Sequence, residues 1–250
     1  MNSSSIYALD FDGVICDSAV ETAITGWKAG CSIWKDMPLT TPTDLIEQFK
    51  LVRPIIETGY EAILAMRLLY QQTAISEIYE NYAALIQKLL EETQLTTTDL
   101  KQLFGKTRDK WIDRDLAEWI NKNPLFTDIA SKLQKLSQLS TWYIVTTKQE
   151  RFVKQILLAN SIELDDSRIF GLDRNMNKPE VLKMLLNAHP EQTIIFVEDR
   201  LPTLINVIKT DELSSIKLIF ALWGYNTFDD KLLAQQNPIS VQNLDDFLKF

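Results

Sequence analysis

The chain has little of what several function classes require. One histidine in 250 residues, His189, rules out any mechanism that needs two. Two cysteines, Cys16 and Cys31, cannot build a disulfide framework, and neither sits in a CxxC or Cys/His metal spacing. A reducing cytoplasm is the expected home. Positive charge is in deficit, with 26 Lys and Arg against 34 Asp and Glu, a net charge of −8. That balance opposes binding to a nucleic-acid backbone or an anionic membrane. No apolar run approaches the roughly 18 residues of a membrane span. The opening MNSSSIYALDFDG also lacks the basic and apolar regions of a secretory signal. No internal repeat or low-complexity tract interrupts the sequence.

What remains is a composition for folding, with 46% hydrophobic and 24% charged residues, enough for a sizeable core. The first pattern is a short apolar run, Ile6 to Phe11, cut off by Asp12-Gly13: a buried strand ending in a turn. From about Ser18 to Asn123 the spacing becomes helical. Ile75, Ile78, Tyr79, Tyr82, Leu85, Ile86 and Leu89 share one face, Ile63 to Leu68 suggest a second helix, and Trp111, Ile112, Leu116, Trp119 and Ile120 suggest a third. From Pro124 onward strands and helices alternate. Strands are expected at Thr141–Val145, near Arg168–Phe170, at Thr193–Val197 and at Lys217–Leu222, with helices around Leu133, Ile156, Leu182 and Leu204. Alternation of this kind implies an α/β fold with a parallel sheet covered by helices on both faces. The leading strand joins that sheet, so residues 1–17 and 124–250 form one domain and 18–123 an inserted helical one.

In such sheets ligands collect at the carboxyl ends of the strands. The strand ends here read Asp10-Phe11-Asp12-Gly13-Val14, Val145-Thr146-Thr147-Lys148 and Val197-Glu198-Asp199-Arg200, with Lys178-Pro179 opening a helix between them. Four acids aimed at one spot are costly without a cation, and a hard divalent ion with oxygen ligands, most simply Mg²⁺, supplies it.

On these residues the sequence resembles the haloacid dehalogenase superfamily of phosphohydrolases. DFDGVICDS resembles its first motif, YIVTTK the second, NKPEVL the third and IIFVEDR the fourth, and ALWGY and SVQNLDDFLKF are similar to the tail of its phosphoglycolate-phosphatase-like branch. The resemblance implies a Rossmann-like core with a helical cap inserted after the first motif. It implies that Asp10 attacks phosphorus to form an aspartyl-phosphate and that Asp12 is the general acid and base. Thr146 and Lys178 then stabilise the phosphoryl oxygens, with Thr147 beside them. Asp10, Asp12, Asp199 and Glu198 are the expected Mg²⁺ residues, Asp12 through its backbone carbonyl and Glu198 either directly or one step removed. The fourth motif departs from the common pattern, with Glu198 in place of a glycine and Thr203 in place of a later acid. A Glu-Asp pair resembles the variant of sugar-phosphate mutases and related phosphatases.

The implied activity is a Mg²⁺-dependent phosphatase acting on a small phosphorylated metabolite, of phosphoglycolate or sugar-phosphate type, in a monomer or homodimer. A sugar-phosphate mutase and a catalytically silent binding module are the rival expectations. Plainer readings stand beside the motifs. Asp-x-Asp also suits an Asx turn, Thr146 and Thr147 suit a strand end, and Lys178 suits a solvated helix start. Glu198 and Asp199 suit a surface pair. His189 reads as a helix cap and Cys16 as packing; Trp223-Gly224-Tyr225 suits contact with substrate or metal-site loops, with a Gly-centred turn and aromatic packing the favoured reading. Arg53, in a polar stretch running to Gly59-Tyr60, is a candidate for a substrate's anionic group.

Overall fold

The computed structural model describes residues 5–249. Residues 1–4, the start of the amino-terminal segment, and Phe250, the last residue of the closing motif, lie outside it. The chain divides into two compact units, Ser18–Asn123 and Met1–Asp17 with Pro124–Phe250.

The Ser18–Asn123 unit is helical, with α1 (Ala19–Ile33), α2 (Thr43–Val52), α3 (Glu61–Tyr70), α4 (Ile75–Thr93), α5 (Thr97–Arg114) and α6 (Leu116–Asn121). On α4 the expected apolar stripe is the inner face: Ile78 and Leu89 are buried, and Tyr79, Tyr82, Leu85 and Ile86 pack partly buried against the unit's core. That core gathers Trp27, Phe49 and Met66, each fully buried, at about 1.5–3 kcal/mol per large side chain. Helices α1 and α3 cross closely at Gly26, where a Cβ would come within 2.6 Å of the Ala62 carbonyl oxygen.

One expected element divides. The periodicity from Trp111 to Ile120 reads as a single helix, but α5 stops at Arg114. Asp115 leaves helical geometry (φ −157°, ψ 85°) and its carboxylate accepts the Glu118 amide at 2.8 Å, starting α6. A capping carboxylate offers the backbone an alternative to continuing the helix, and apolar spacing does not register it.

The other unit is built on an all-parallel sheet. Its described strands are β1 (Ile6–Leu9), β2 (Thr141–Val145), β3 (Ile169–Phe170), β4 (Ile194–Glu198), β5 (Lys217–Ala221) and β6 (Ser240–Gln242), in the order β3-β2-β1-β4-β5-β6. Helices α7 (Ile129–Leu139), α8 (Glu150–Ala159), α9 (Lys178–Ala188), α10 (Leu201–Ile208), α11 (Phe228–Ala234) and α12 (Leu244–Leu248) alternate with the strands. The five expected strands are present. The edge strand β6 is additional, three residues long with Ser240 exposed and Val241 and Gln242 half-buried, too short to show an alternating pattern.

Register positions the chemistry. Leu9 lies beside Ile144 of β2 and Val197 of β4. Asp10 and Glu198, one position on, and Thr146, two positions on, therefore emerge at the same end of the sheet. The unit is closed on itself where the helical segment leaves and returns: the Asp17 amide donates to the Pro124 carbonyl at 2.8 Å and the Phe126 amide to that of Ile15 at 3.1 Å. No helix among the described residues is long and apolar enough to cross a membrane.

Candidate active site

Asp10 follows β1 directly and is almost fully buried. Its amide still donates to Val197, continuing the ladder. Its Oδ1 accepts the Phe11 amide at 2.7 Å, and Oδ2 lies 2.9 Å from Lys178 Nζ. Burial, reinforced by the nearby Glu198 charge, pushes the Asp10 carboxyl up to about 7, against the pull of Lys178.

Lys178 is delivered by the start of α9, where Asn177 and Glu180 form a reciprocal capping box and Pro179 fits the first turn. The same ammonium donates to Glu198 Oε2 at 2.6 Å. Burial alone works against that charge, but the Asp10 and Glu198 carboxylates outweigh it and raise the Lys178 pKa. Burial likewise works against the Glu198 carboxylate, and Lys178 with the Arg200 amide reverses it, so that carboxyl is held low. Glu198 is thus an anion with both oxygens engaged. Oε2 takes Lys178, and Oε1 accepts the amides of Asp199 at 3.1 Å and Arg200 at 3.0 Å.

Asp199 completes a group of three. One carboxylate oxygen from each of Asp10, Glu198 and Asp199 lies within 4.8 Å of the others, and all three residues are buried. Two glycines make room for Asp199. Gly13, at φ +88°, is in the left-handed region, and a Cβ on it would fall inside the Asp199 carboxylate; a Cβ on Gly224 would collide with the Asp199 side chain and the Gly13 carbonyl. The loop after β5 then holds this carboxylate, with the Tyr225 amide donating to Oδ2 at 2.6 Å. Three clustered carboxylates fit the oxygen donor set of a hard divalent cation such as Mg²⁺.

Asp12 pairs with a second lysine. Its Oδ1 lies 2.9 Å from Lys148 Nζ, whose side chain is fully buried. The Lys148 amide donates to Thr146 Oγ1 at 3.1 Å, so one residue touches both the second strand end and the first. Thr146 is buried beside β3, with its amide on the Phe170 carbonyl, and Thr147 is half-buried next to it. Arg53 belongs to the helical unit, in a short 3-10 turn (Arg53–Ile55), where it is buried and donates through Nη1 to the Ile56 carbonyl at 2.9 Å.

The structure thus brings Asp10, Lys178, Glu198 and Asp199 together, while Lys148 joins Asp12 to Thr146. One contributor, Lys148, was not singled out from sequence, and for Gly224 and Tyr225 the contact with a metal-site loop was weighed below the turn reading. Lys148 was visible as the residue closing the second motif. Gly224 and Tyr225 were read as a turn, and that turn also cradles Asp199. His189 does end α9, its amide donating to the Leu185 carbonyl, and its Nε2 pairs with Tyr143 Oη at 2.8 Å. Cys16 is buried packing.

No protein-family model and no curated protein sequence matches the chain. Solved structures do match over nearly its whole length. A predicted phosphoglycolate phosphatase from Haemophilus somnus 129pt superposes with a TM-score of 0.62 at 19% identity, covering 100% of this chain and 98% of that one. A predicted phosphatase from Clostridium acetobutylicum gives 0.60 at 16% identity, covering 99% and 98%. A haloacid dehalogenase-like family hydrolase from Streptococcus pneumoniae gives 0.55 at 19% identity, covering 97% and 95%. The chain has the α/β fold of these structures.

Proposed function

We propose that the protein is a Mg²⁺-dependent phosphatase that hydrolyses a small phosphorylated metabolite through an aspartyl-phosphate on Asp10. The observation that carries this reading is the placement of the Asp10 carboxylate at the end of β1, 2.9 Å from the Lys178 ammonium and clustered with Glu198 and Asp199. The fold shared with structures named as phosphatases supports the reaction class.

Asp10, when ionised, is the nucleophile. Its attack on phosphorus splits one displacement into two easier ones, with the phosphoryl group held on the carboxylate between them. Lys178 supplies positive charge where the equatorial oxygens gain negative charge, and Glu198 fixes that ammonium in place. Thr146 donates its hydroxyl proton to a phosphoryl oxygen, with Thr147 as the neighbouring contact. Asp12 protonates the departing alkoxide and later takes a proton from the attacking water. Asp10 and Asp199, with the Asp12 backbone carbonyl, are the residues assigned to Mg²⁺, which when bound neutralises charge on the phosphoryl group and lets Asp10 ionise beside Glu198. Glu198, already bonded at both oxygens, acts chiefly by positioning Lys178. The inserted helical unit is assigned the role of a selectivity cap, with Arg53 its candidate anion contact.

The test is a panel of phosphate esters that includes phosphoglycolate and hexose phosphates, run with Mg²⁺ and with EDTA. Release of inorganic phosphate that EDTA abolishes supports the reading. Interconversion of hexose phosphate isomers without phosphate release points to a mutase. No turnover of any ester points to a binding module.

A further inference from the structure

The Asp199 side chain lies in a slot whose two walls come from different loops. One wall is Gly13, in the loop after β1, and the other is Gly224, in the loop after β5. A Cβ on either glycine would collide with Asp199, and one on Gly224 would also meet the Gly13 carbonyl, so the slot is no wider than the group it holds. Both walls are turn backbone. Backbone of that kind keeps a fixed separation only where other groups tie it.

Two side chains of the β5 loop cross to the β1 loop. The Tyr225 phenol donates to Asp17 Oδ1 at 2.8 Å, and the Trp223 indole donates from Nε1 to the Val14 carbonyl at 3.1 Å. Tyr225 does more than bridge the walls, because its backbone amide donates to Asp199 Oδ2 at 2.6 Å. Asn226 follows, donating from Nδ2 to the Asp199 carbonyl at 3.3 Å and to the Ala221 carbonyl, at the end of β5, at 2.9 Å. Asp17 is itself anchored, its amide donating to the Pro124 carbonyl at 2.8 Å. One residue, Tyr225, thus grips the carboxylate with its backbone and the opposite loop with its side chain.

We infer that Tyr225 is a positioning residue for the cation site: its phenol, bonded to Asp17, sets the width of the slot and with it the orientation in which Asp199 meets Mg²⁺. The inference rests on the assignment of Asp199 to Mg²⁺ proposed above. Mg²⁺ demands near-ideal ligand placement, and a carboxylate already held in place loses less freedom on binding than one that can turn. Tyr225→Phe isolates the effect, since it keeps the ring and the amide on Asp199 and removes only the bond to Asp17. Trp223 is the poorer probe because its ring also stacks on Phe247, with centroids 5.4 Å apart.

The test titrates Mg²⁺ into the full chain by calorimetry at fixed pH and salt, and records Tm in Mg²⁺ and in EDTA. Wild type is compared with Tyr225→Phe, Asp17→Ala, Asp17→Asn and the double variant Tyr225→Phe with Asp17→Ala. The Kd for Mg²⁺ should rise about tenfold in Tyr225→Phe and in Asp17→Ala, the scale typical of groups that orient a metal ligand. The double variant should show no further rise, because both replacements cut the same bond. Asp17→Asn removes the charge but keeps an acceptor oxygen, and should bind Mg²⁺ nearly as wild type does. The Tm gain from Mg²⁺ should shrink wherever the Kd rises. Circular dichroism identifies a variant that has failed to fold, and the other single variant then decides. An unchanged Kd in folded Tyr225→Phe, a double variant equal to the product of the singles, or a loss in Asp17→Asn as large as in Asp17→Ala would overturn the inference. So would a Tm lowered equally in Mg²⁺ and in EDTA, the mark of a bond that serves the fold alone. Wild type that binds no Mg²⁺ would overturn the metal assignment along with the inference, whereas the other contrary results leave that assignment standing. None of these outcomes depends on phosphatase turnover.

Discussion

Lys148 and Asp12 are joined at 2.9 Å although they lie 136 positions apart, with the lysine fully buried and the aspartate at the edge of solvent. The contact ties the loop after β2 to the loop after β1, since the Lys148 amide also bonds Thr146. A buried ammonium so placed fixes one orientation of the side chain assigned to proton transfer.

Replacing Lys148 with Met should therefore lower kcat by about 10–100-fold while leaving KM nearly unchanged, because the group lost orients a catalytic acid rather than binding substrate. Lys148→Arg should recover part of the loss. Steady-state kinetics on any ester the enzyme turns over checks this. A rise in KM at constant kcat would instead assign Lys148 to substrate binding.

Asp10 predicts a proton exchange. Its folded-state pKa of about 7 lies above the roughly 3.9 of an exposed aspartate, so burial beside Glu198 favours the neutral form. The sign follows: this group's contribution to stability is greatest at acid pH and declines as pH rises from the unfolded value through about 7. A divalent cation bound to Asp10 must displace that proton. Mg²⁺ binding near neutral pH should release protons, and the release should fall as the pH is raised well above the Asp10 pKa. Calorimetry in two buffers of different ionisation enthalpy measures it, and Asp10→Asn should eliminate it.

Gly13 should be irreplaceable in a way visible without turnover. Its φ of +88° and the Asp199 carboxylate standing where a Cβ would go make Gly13→Ala costly twice over, by about 1–3 kcal/mol in stability. Because the clash falls on Asp199, the variant should also lose the Mg²⁺-dependent rise in Tm. In wild type that rise corresponds to about 2.7 kcal/mol when the ion is at a hundred times its Kd.

Inside the helical unit, Glu21 is fully buried and accepts two bonds from Arg108, at 2.9 and 2.6 Å, one from Trp119 at 3.0 Å and one from Thr25 at 2.6 Å. Glu21→Gln leaves the Arg108 charge buried without its counter-ion and should cost about 3–5 kcal/mol. The double replacement Glu21→Leu with Arg108→Met should cost less than the single one. Urea unfolding monitored by tryptophan fluorescence gives both values.

Much of this was legible in the sequence because it depends on local pattern. Ile6–Leu9 and Ile194–Val197 are largely buried and read as apolar runs, and their acids fall where the runs end. What escaped depends on contacts between distant segments. Nothing near Glu21 announces Arg108, 87 positions away. The space under Asp199 is made by Gly13 and Gly224 from two different loops. Asp115 divides α5 from α6 through one capping bond, and β6 is too short to carry periodicity. Glu198 was legible as an acid at the site, but only coordinates reveal that Lys178 and two amides already occupy its oxygens.

The central claim is that Asp10 captures the phosphoryl group, and acid-quenched mass spectrometry tests it most directly. Wild-type protein mixed with Mg²⁺ and a turned-over ester should carry a phosphoryl group on the peptide containing Asp10, and Asp10→Asn, still folded, should carry none. A wild-type enzyme that hydrolyses the ester with no trapped adduct, or an adduct that persists in Asp10→Asn, would contradict the account.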